Sequence, residues 1–256
     1  MPGELSDKVI VLTGGGDGIG AECAAAYVRE GASLAILDRN LEAAEHTAAR
    51  VGGGCLALGA DVSDGPIVEA AIEQVLRRFG RIDAVHNNAG IAHPSLPLHE
   101  TSEAEWDHLF RVNLKSVFWT TRFAFPALTA SRGVILNTAS MVGLIGQADH
   151  AAYVATKGAL ISMTKAMAAD YARYAIRVNA ICPAAVLTPM LERWCAEQPD
   201  PVRTQEMLDS IHLLGPAPRG DVIADVAVFL LSHRSRFMTG CIVPVSGGAE
   251  LGYRRS

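Results

Sequence analysis

Nowhere in the 256-residue chain do enough apolar residues run together to span a bilayer, for which roughly 18 or more are needed. The segment Met1 to Lys8 carries Glu4 and Asp7. It leads into Val9-Ile10-Val11-Leu12, which is too short for a signal-peptide core. A soluble, cytoplasmic protein with no membrane partner is expected. Cysteine is sparse: five residues, Cys23, Cys55, Cys182, Cys195 and Cys241, contain no C-x-x-C pair. That excludes a disulfide framework and reads as reduced, mostly buried thiols. The histidines, among them His86, His93, His99, His108 and His150, have no H-E-x-x-H spacing, so no metal is expected. Most of them read as surface or loop positions. Positive charge is also short, with 22 Lys and Arg against 27 Asp and Glu and no block of like charge. A nucleic-acid partner would need a basic face to displace counterions from phosphate, and is not expected. Half the residues are hydrophobic, which excludes intrinsic disorder.

What the chain does have is alternation. Short, β-branched, nearly all-apolar runs fall at Val9–Thr13, Ser33–Leu37, Cys55–Ala60, Ala84–Asn87, Gly133–Thr138, Arg177–Cys182 and Cys241–Val245. Strands buried on both faces have this continuous pattern. Helical patterns lie between them. One runs from Gly18 to Glu30 and stops at Gly31. Another runs from Ile67 to Phe79 and stops at Gly80. Ser102-x-x-Glu105 is a capping box opening a helix through Trp106, Leu109 and Phe110. Ala151 to Tyr174 reads as one long Ala-rich helix, and Asp221 is placed to cap a last one. The expected architecture is α/β: a single-domain, Rossmann-type, doubly wound parallel sheet of seven strands with helices on both faces, spanning residues 1–256. Pro183 to Leu214 is longer than an ordinary connection and reads as a functional loop, within a substrate-covering segment at 183–220.

The first strand ends in Thr13-Gly14-Gly15-Gly16-Asp17-Gly18-Ile19-Gly20 and opens a helix. Such a turn passes close beneath a pyrophosphate and aims helix N–H groups at it. Ile19 stands where a strict G-x-G-x-x-G would have its third glycine, and a tight turn without ligand is the plainer alternative. Asp38 ends the second strand, where a carboxylate accepts from adenosine ribose hydroxyls and repels a 2′-phosphate. The alternative there is a loop-tip helix cap. Asp61-Val62 follows the third strand and is placed to hold an adenine edge. Tyr153-x-x-x-Lys157 sets a phenol and an ammonium one helical turn apart, and the cation can bring a phenol of pKa about 10 toward the working range. A solvent-facing pair is the alternative. Ser140, at the end of the fifth strand, favours the catalytic reading, because open α/β sheets place ligands there.

Together these motifs resemble the short-chain dehydrogenase/reductase family in its form of about 250 residues. The resemblance rests on Thr13-Gly14-x-x-x-Gly18-Ile19-Gly20, Asp61-Val62, Asn87-Asn88-Ala89-Gly90, Asn113, Ser140, Tyr153-x-x-x-Lys157 and Arg177-Val178-Asn179, in that order. It implies a dehydrogenase using NAD. Tyr153 would be the general acid/base and Ser140 would hydrogen-bond the substrate oxygen. Lys157 would lower the Tyr153 pKa and bind the nicotinamide ribose, and Asn113 would hold a water leading from Lys157 to solvent. Gly14, Asp17, Gly18, Ile19, Gly20, Asp38, Asp61, Val62, Asn88, Ala89, Gly90, Pro183, Val186 and Thr188 would line the cofactor.

The family usually has Pro-Gly after the sixth strand. Here Pro183-Ala184-Ala185 adds a Cβ toward the nicotinamide or substrate side. The stretch Pro183-Ala184-x-Val186-x-Thr188-Pro189 is similar to bacterial L-fucose dehydrogenases of the family, and Val142 to Ala148 and Gly247 to Tyr253 are similar to a type 14 hydroxysteroid dehydrogenase, which is also linked to L-fucose oxidation. Candidate substrate contacts are His93, Met141, Gln147, His150, Ala184 and Trp194. Their mixed polarity favours an L-fucose-like aldose or a polyol over a hydrophobic alcohol such as a hydroxysteroid. A catalytically silent NAD-binding regulatory protein is the alternative of another class. The small residues on several faces of the 151–174 helix, together with the resemblance, imply a homotetramer. Arg254-Arg255 reads as a solvated tail.

Overall fold

Period-2 burial organises the sheet. On the first strand Ile10 and Leu12 pack to one face, while Val9 and Val11 pack to the other. The computed structural model describes residues 2–252, so Tyr253 and the Arg254-Arg255 pair lie outside the described residues. The strands are β1 (Val9–Thr13), β2 (Ser33–Asp38), β3 (Leu56–Gly59), β4 (Ala84–Asn87), β5 (Val134–Thr138), β6 (Arg177–Pro183) and β7 (Ile242–Val245). All pair in parallel, in the order β3-β2-β1-β4-β5-β6-β7. The order turns back between β1 and β4, and the carboxyl ends of these strands border the crevice where such sheets bind ligands.

Helices cover both faces. Helix α1 (Gly18–Arg29), α2 (Leu41–Val51) and α10 (Asp221–Leu231) pack Cys23, Tyr27, Ala44, Ile223 and Ala227 against Ile10, Leu12, Leu34 and Ile36. On the other face α3 (Gly65–Phe79), α5 (Ser116–Ser131) and α7 (Ala151–Tyr171) pack Val68, Ile72, Val117, Leu128 and Leu160 against Val11, Leu37, Val85 and Ile135. Both faces of the sheet are therefore dry, which is why the strands read as apolar runs.

Several boundaries differ from expectation. Helix α2 carried no expectation as an element; Asn40 caps it through a bond from Ala43 N. Asp64 caps α3, which starts two residues earlier than its apolar pattern. Asp221 caps nothing. Gly220 is the N-cap of α10, so the helix begins one residue sooner, and a Cβ at Gly220 would lie 3.1 Å from Ile19 Cα of α1. The segment Pro183 to Leu214 is not an irregular loop, since it folds into α8 (Pro189–Ala196) and α9 (Pro201–Ser210). Each opens with a proline behind a capping side chain, Thr188 or Asp200. The capping box at Ser102 and Glu105 forms as expected and opens α4 (Glu103–Phe110). A π-helical turn, Arg111–Lys115, then joins α4 to α5.

Candidate active site

The β1–α1 turn is built for close approach. Gly14 has φ +65°, and a Cβ there would lie 2.8 Å from Ala89 Cα. A Cβ at Gly20 would collide with the Gly14 carbonyl oxygen. Asp17 caps α1 by accepting from Gly18 N at 2.7 Å, and no acidic residue occupies the first turn of the helix. The first-turn N–H groups of Ile19 and Gly20 have no helical acceptor and carry the positive end of the helix dipole. At the end of β2 the Asp38 carboxylate accepts from Gly16 N at 2.9 Å and from Asn40 N at 3.0 Å, which holds an anionic group beside the turn. These features fit a dinucleotide: space where a Cβ would clash, donors for phosphate, and a carboxylate for ribose.

The adjoining wall comes from β4. Thr13 Oγ1 accepts from Asn88 N and Ala89 N, and Asn88 Nδ2 donates to the Thr13 and Gly14 carbonyls. Beyond it, Gly90 runs between two side chains. A Cβ there would lie 3.3 Å from Asn113 Oδ1 and 3.4 Å from Lys157 Nζ. Asp61 is exposed after β3, where its carboxylate accepts from Ser63 N, while Val62 is buried. The Val186 side chain is packed in the core, so only its backbone is free to face a ligand. Thr188 Oγ1 accepts from Leu191 N to cap α8, and its methyl group lies against Gly18.

Tyr153 and Lys157 occupy successive turns of α7, with Ser140 at the end of β5. The Ser140 side chain lies close enough to the Tyr153 hydroxyl to influence its protonation, and Ser140 Oγ accepts from Val142 N. Lys157 is only 4% exposed and donates to the Thr138 carbonyl at 2.9 Å. Burial pulls its pKa down to about 8. Burial pushes the Tyr153 phenol up, and the Ser140 hydroxyl acts against that rise. Asn113, carried on the π-helical turn, closes a ring with Ile91. Its Oδ1 accepts from Ile91 N, and its Nδ2 donates to Ile91 O and to Thr156 Oγ1. Both amide hydrogens are therefore committed, and one Oδ1 lone pair remains beside Gly90. The four side chains Asn113, Ser140, Tyr153 and Lys157 thus gather at the carboxyl ends of β4 and β5. The arrangement has a hydroxyl to bind an oxygen, a phenol to exchange its proton, and a buried cation to stabilise the phenolate.

The expected substrate contacts are divided. Met141 is buried at the start of the β5–α7 connection, where its N–H donates to Pro183 O. Ala184 is half-buried just beyond β6. His150 is buried, and its ring centre lies 5.2 Å from that of Tyr153 and 6.2 Å from that of Trp194. His93 is exposed and faces Glu197 Oε2 at 3.5 Å. Gln147 is exposed between α6 (Val142–Ile145) and α7 and makes no side-chain hydrogen bond among the described residues. Sequence reasoning missed Ser95, which bonds both His150 and Trp194.

His86, on the expected fourth strand, is an exception among the histidines. Rather than lying at the surface, His86 is 0% exposed. Its ring joins Tyr27 OH at 2.8 Å to Thr138 Oγ1 at 2.9 Å, and Thr138 Oγ1 donates onward to Asn88 Oδ1. Its position between Val85 and Asn87 in a buried strand was the available signal.

Against known proteins, the family model described as enoyl-(acyl carrier protein) reductase matches residues 14–250. L-fucose dehydrogenase of Bos taurus is 41% identical over the whole of this chain and 94% of its own. The chain belongs to the short-chain dehydrogenase/reductase family. This short-chain dehydrogenase/reductase is an oxidoreductase, and its relatives include meso-2,3-butanediol dehydrogenase of Serratia marcescens. That enzyme is 36% identical over 96% of this chain and 95% of its own. Among solved structures, NAD+-bound xylitol dehydrogenase superposes with a TM-score of 0.90 at 32% identity, covering 95% of this chain and 99% of the other. Among the described residues no helix is long and apolar enough to cross a membrane, and no cluster could hold a metal.

Proposed function

We propose that this short-chain dehydrogenase/reductase oxidises a hydroxyl of a sugar or polyol with NAD, an L-fucose-like aldose being the favoured substrate. The observation that carries the reading is the meeting of Tyr153 with Ser140 and with the buried Lys157 beside the glycine turn. The relatives that act on L-fucose and on a diol, and the neighbour that acts on xylitol, support the substrate class.

NAD, when bound, supplies the hydride acceptor. The β1–α1 turn and the α1 N-terminus would hold its pyrophosphate, Asp38 its adenosine ribose and Lys157 its nicotinamide ribose. Ser140 donates to the substrate oxygen and orients it. Tyr153 takes the hydroxyl proton as the carbonyl forms. Lys157 favours the ionised phenol, and the Asn113 lone pair beside Gly90 offers an acceptor for a water on the route to solvent. Segment 183–220 closes the substrate side within a single domain.

Self-association as a homotetramer is part of the same proposal. Phe118 is 47% exposed on α5, and Ala166 and Ala169 are exposed on α7. Sedimentation at micromolar concentration should show no monomer.

The test is a panel of L-fucose, xylitol, meso-2,3-butanediol and a hydroxysteroid, each with NAD, followed by nicotinamide absorbance. The expected result is highest kcat/KM for L-fucose or a polyol. A steroid preferred over all three would reverse the substrate assignment.

A further inference from the structure

In the reading proposed above helix α8 covers the substrate side of the site, and its own burial does little to place it. Of its eight residues only Cys195 is buried, and an isolated helix of that length is marginal in water. Its link between Glu197 and His93 joins two exposed side chains at 3.5 Å and adds little. The firmest connection from α8 to the rest of the site is Trp194 Nε1, which donates to Ser95 Oγ at 2.7 Å.

That oxygen is a junction. His150 Nε2 lies 2.9 Å from Ser95 Oγ and 2.8 Å from the Ala92 carbonyl oxygen. A carbonyl only accepts, so Nε2 carries the ring hydrogen and shares it between the two oxygens. His150 Nδ1 is then the unprotonated nitrogen, and it is buried without a hydrogen-bond partner. The indole N–H likewise only donates. Ser95 therefore receives both donors on one oxygen. It ties α8 through Trp194 to the first turn of α7 through His150, the N-cap of that helix, one turn ahead of Tyr153. The rings of Trp194 and His150 stack at 19° above this junction.

We propose that Ser95 is a positioning residue that docks α8, through Trp194 and His150, as the wall of the substrate site and so governs substrate affinity. Its side-chain hydrogen bonds go to His150 and Trp194 rather than to the phenol or the cofactor turn, so its effect falls on KM and spares kcat. The kinetic arm rests on the dehydrogenase reading above; the structural arm does not.

The test is a double-mutant cycle of Ser95→Ala and Trp194→Phe, the second of which keeps an aromatic ring and removes the N–H, with Ser95→Thr as rescue. With NAD and L-fucose, each single variant should raise KM about three- to tenfold, the scale of one lost hydrogen bond. Turnover should stay within about twofold, and NAD affinity should not change. The double variant should be no worse than the poorer single, because both remove one contact. Amide exchange of residues 189–196 should quicken in Ser95→Ala and Trp194→Phe and return toward wild type in Ser95→Thr. Additive effects on KM, a loss confined to kcat, or unchanged α8 exchange in Ser95→Ala would overturn the proposal. Failure of the wild type to oxidise L-fucose would count against the sugar reading alone, and the proposal would then stand or fall on the exchange of α8.

Discussion

The Lys157 ammonium donates to the Thr138 carbonyl while lying 5.7 Å from the centre of the Tyr153 ring. The cation is thus anchored to β5 and reaches the phenol through space. In the proposed reaction the cation would favour the phenolate from there, because charges interact more in a desolvated site than in water. The same burial raises the Tyr153 pKa, so the phenol is protonated at neutral pH until something favours its anion.

Tyr153→Phe should leave folding and NAD affinity nearly intact and lower turnover by about a hundredfold or more, the scale of general acid/base loss. Stopped-flow or steady-state rates with the best alcohol of the panel measure it. Near-wild-type turnover would remove Tyr153 from the reaction. Ser140→Ala should also act mainly on kcat, since Ser140 binds the oxygen on which charge develops.

Oxidation and reduction should respond to pH in opposite directions. The phenol must lose its proton before it can accept one from an alcohol, and its pKa is raised by burial. Oxidation should therefore speed up as pH rises from neutrality, while carbonyl reduction, which needs the protonated phenol, should slow. Parallel profiles in the two directions would contradict proton exchange at Tyr153.

Asp38→Ser should narrow the preference for NAD over NADP. The carboxylate stands beside Gly16 N, where a 2′-phosphate would bring a second negative charge into a partly dry site. The ratio of kcat/KM for the two cofactors is the measurement. A wild type that uses both equally well would refute the assignment.

His86 should make the fold acid-sensitive. Its pKa is pulled down to about 3 by complete burial, so between the ordinary value of 6.5 and about 3 the unfolded chain binds a proton that the folded chain refuses. Stability is full above the unfolded value and falls as pH drops through this window, by at most about 5 kcal/mol. Urea midpoints for wild type should decline steeply from pH about 6.5 to about 4, and those of His86→Gln should decline less. Equal slopes would show that His86 is not the cause.

The alternation of apolar runs with capped helices was enough to locate all seven strands, because a doubly covered sheet leaves no polar face to blur the pattern. Ser140 and Tyr153-x-x-x-Lys157 could be read from a strand end and a helix turn, whereas Asn113 was expected only from the family resemblance; the structure gathers all four at the carboxyl ends of β4 and β5. Helices α8 and α9 were not, because their sequences are mostly exposed and their starts depend on Thr188 and Asp200, two ordinary polar residues before proline. Ser95 left no mark at all in the sequence. Its role arises from three segments meeting, Ser95, His150 and Trp194, and no local spacing records such a meeting.

The π-helical turn at Arg111–Lys115 amounts to one residue more than an α-helix would use in that span. Each residue advances a helix by roughly 100°, so excising one from this turn would swing everything on one side of the cut by that angle relative to the other. Asn113 could no longer face Ile91 and Thr156 while α4 and α5 both kept their seats. A chain one residue shorter here would gain regular backbone hydrogen bonding and lose the amide that braces the loop after β4. The irregular turn is thus a trade written into the length of the chain, in which helical regularity is surrendered to aim a single side chain.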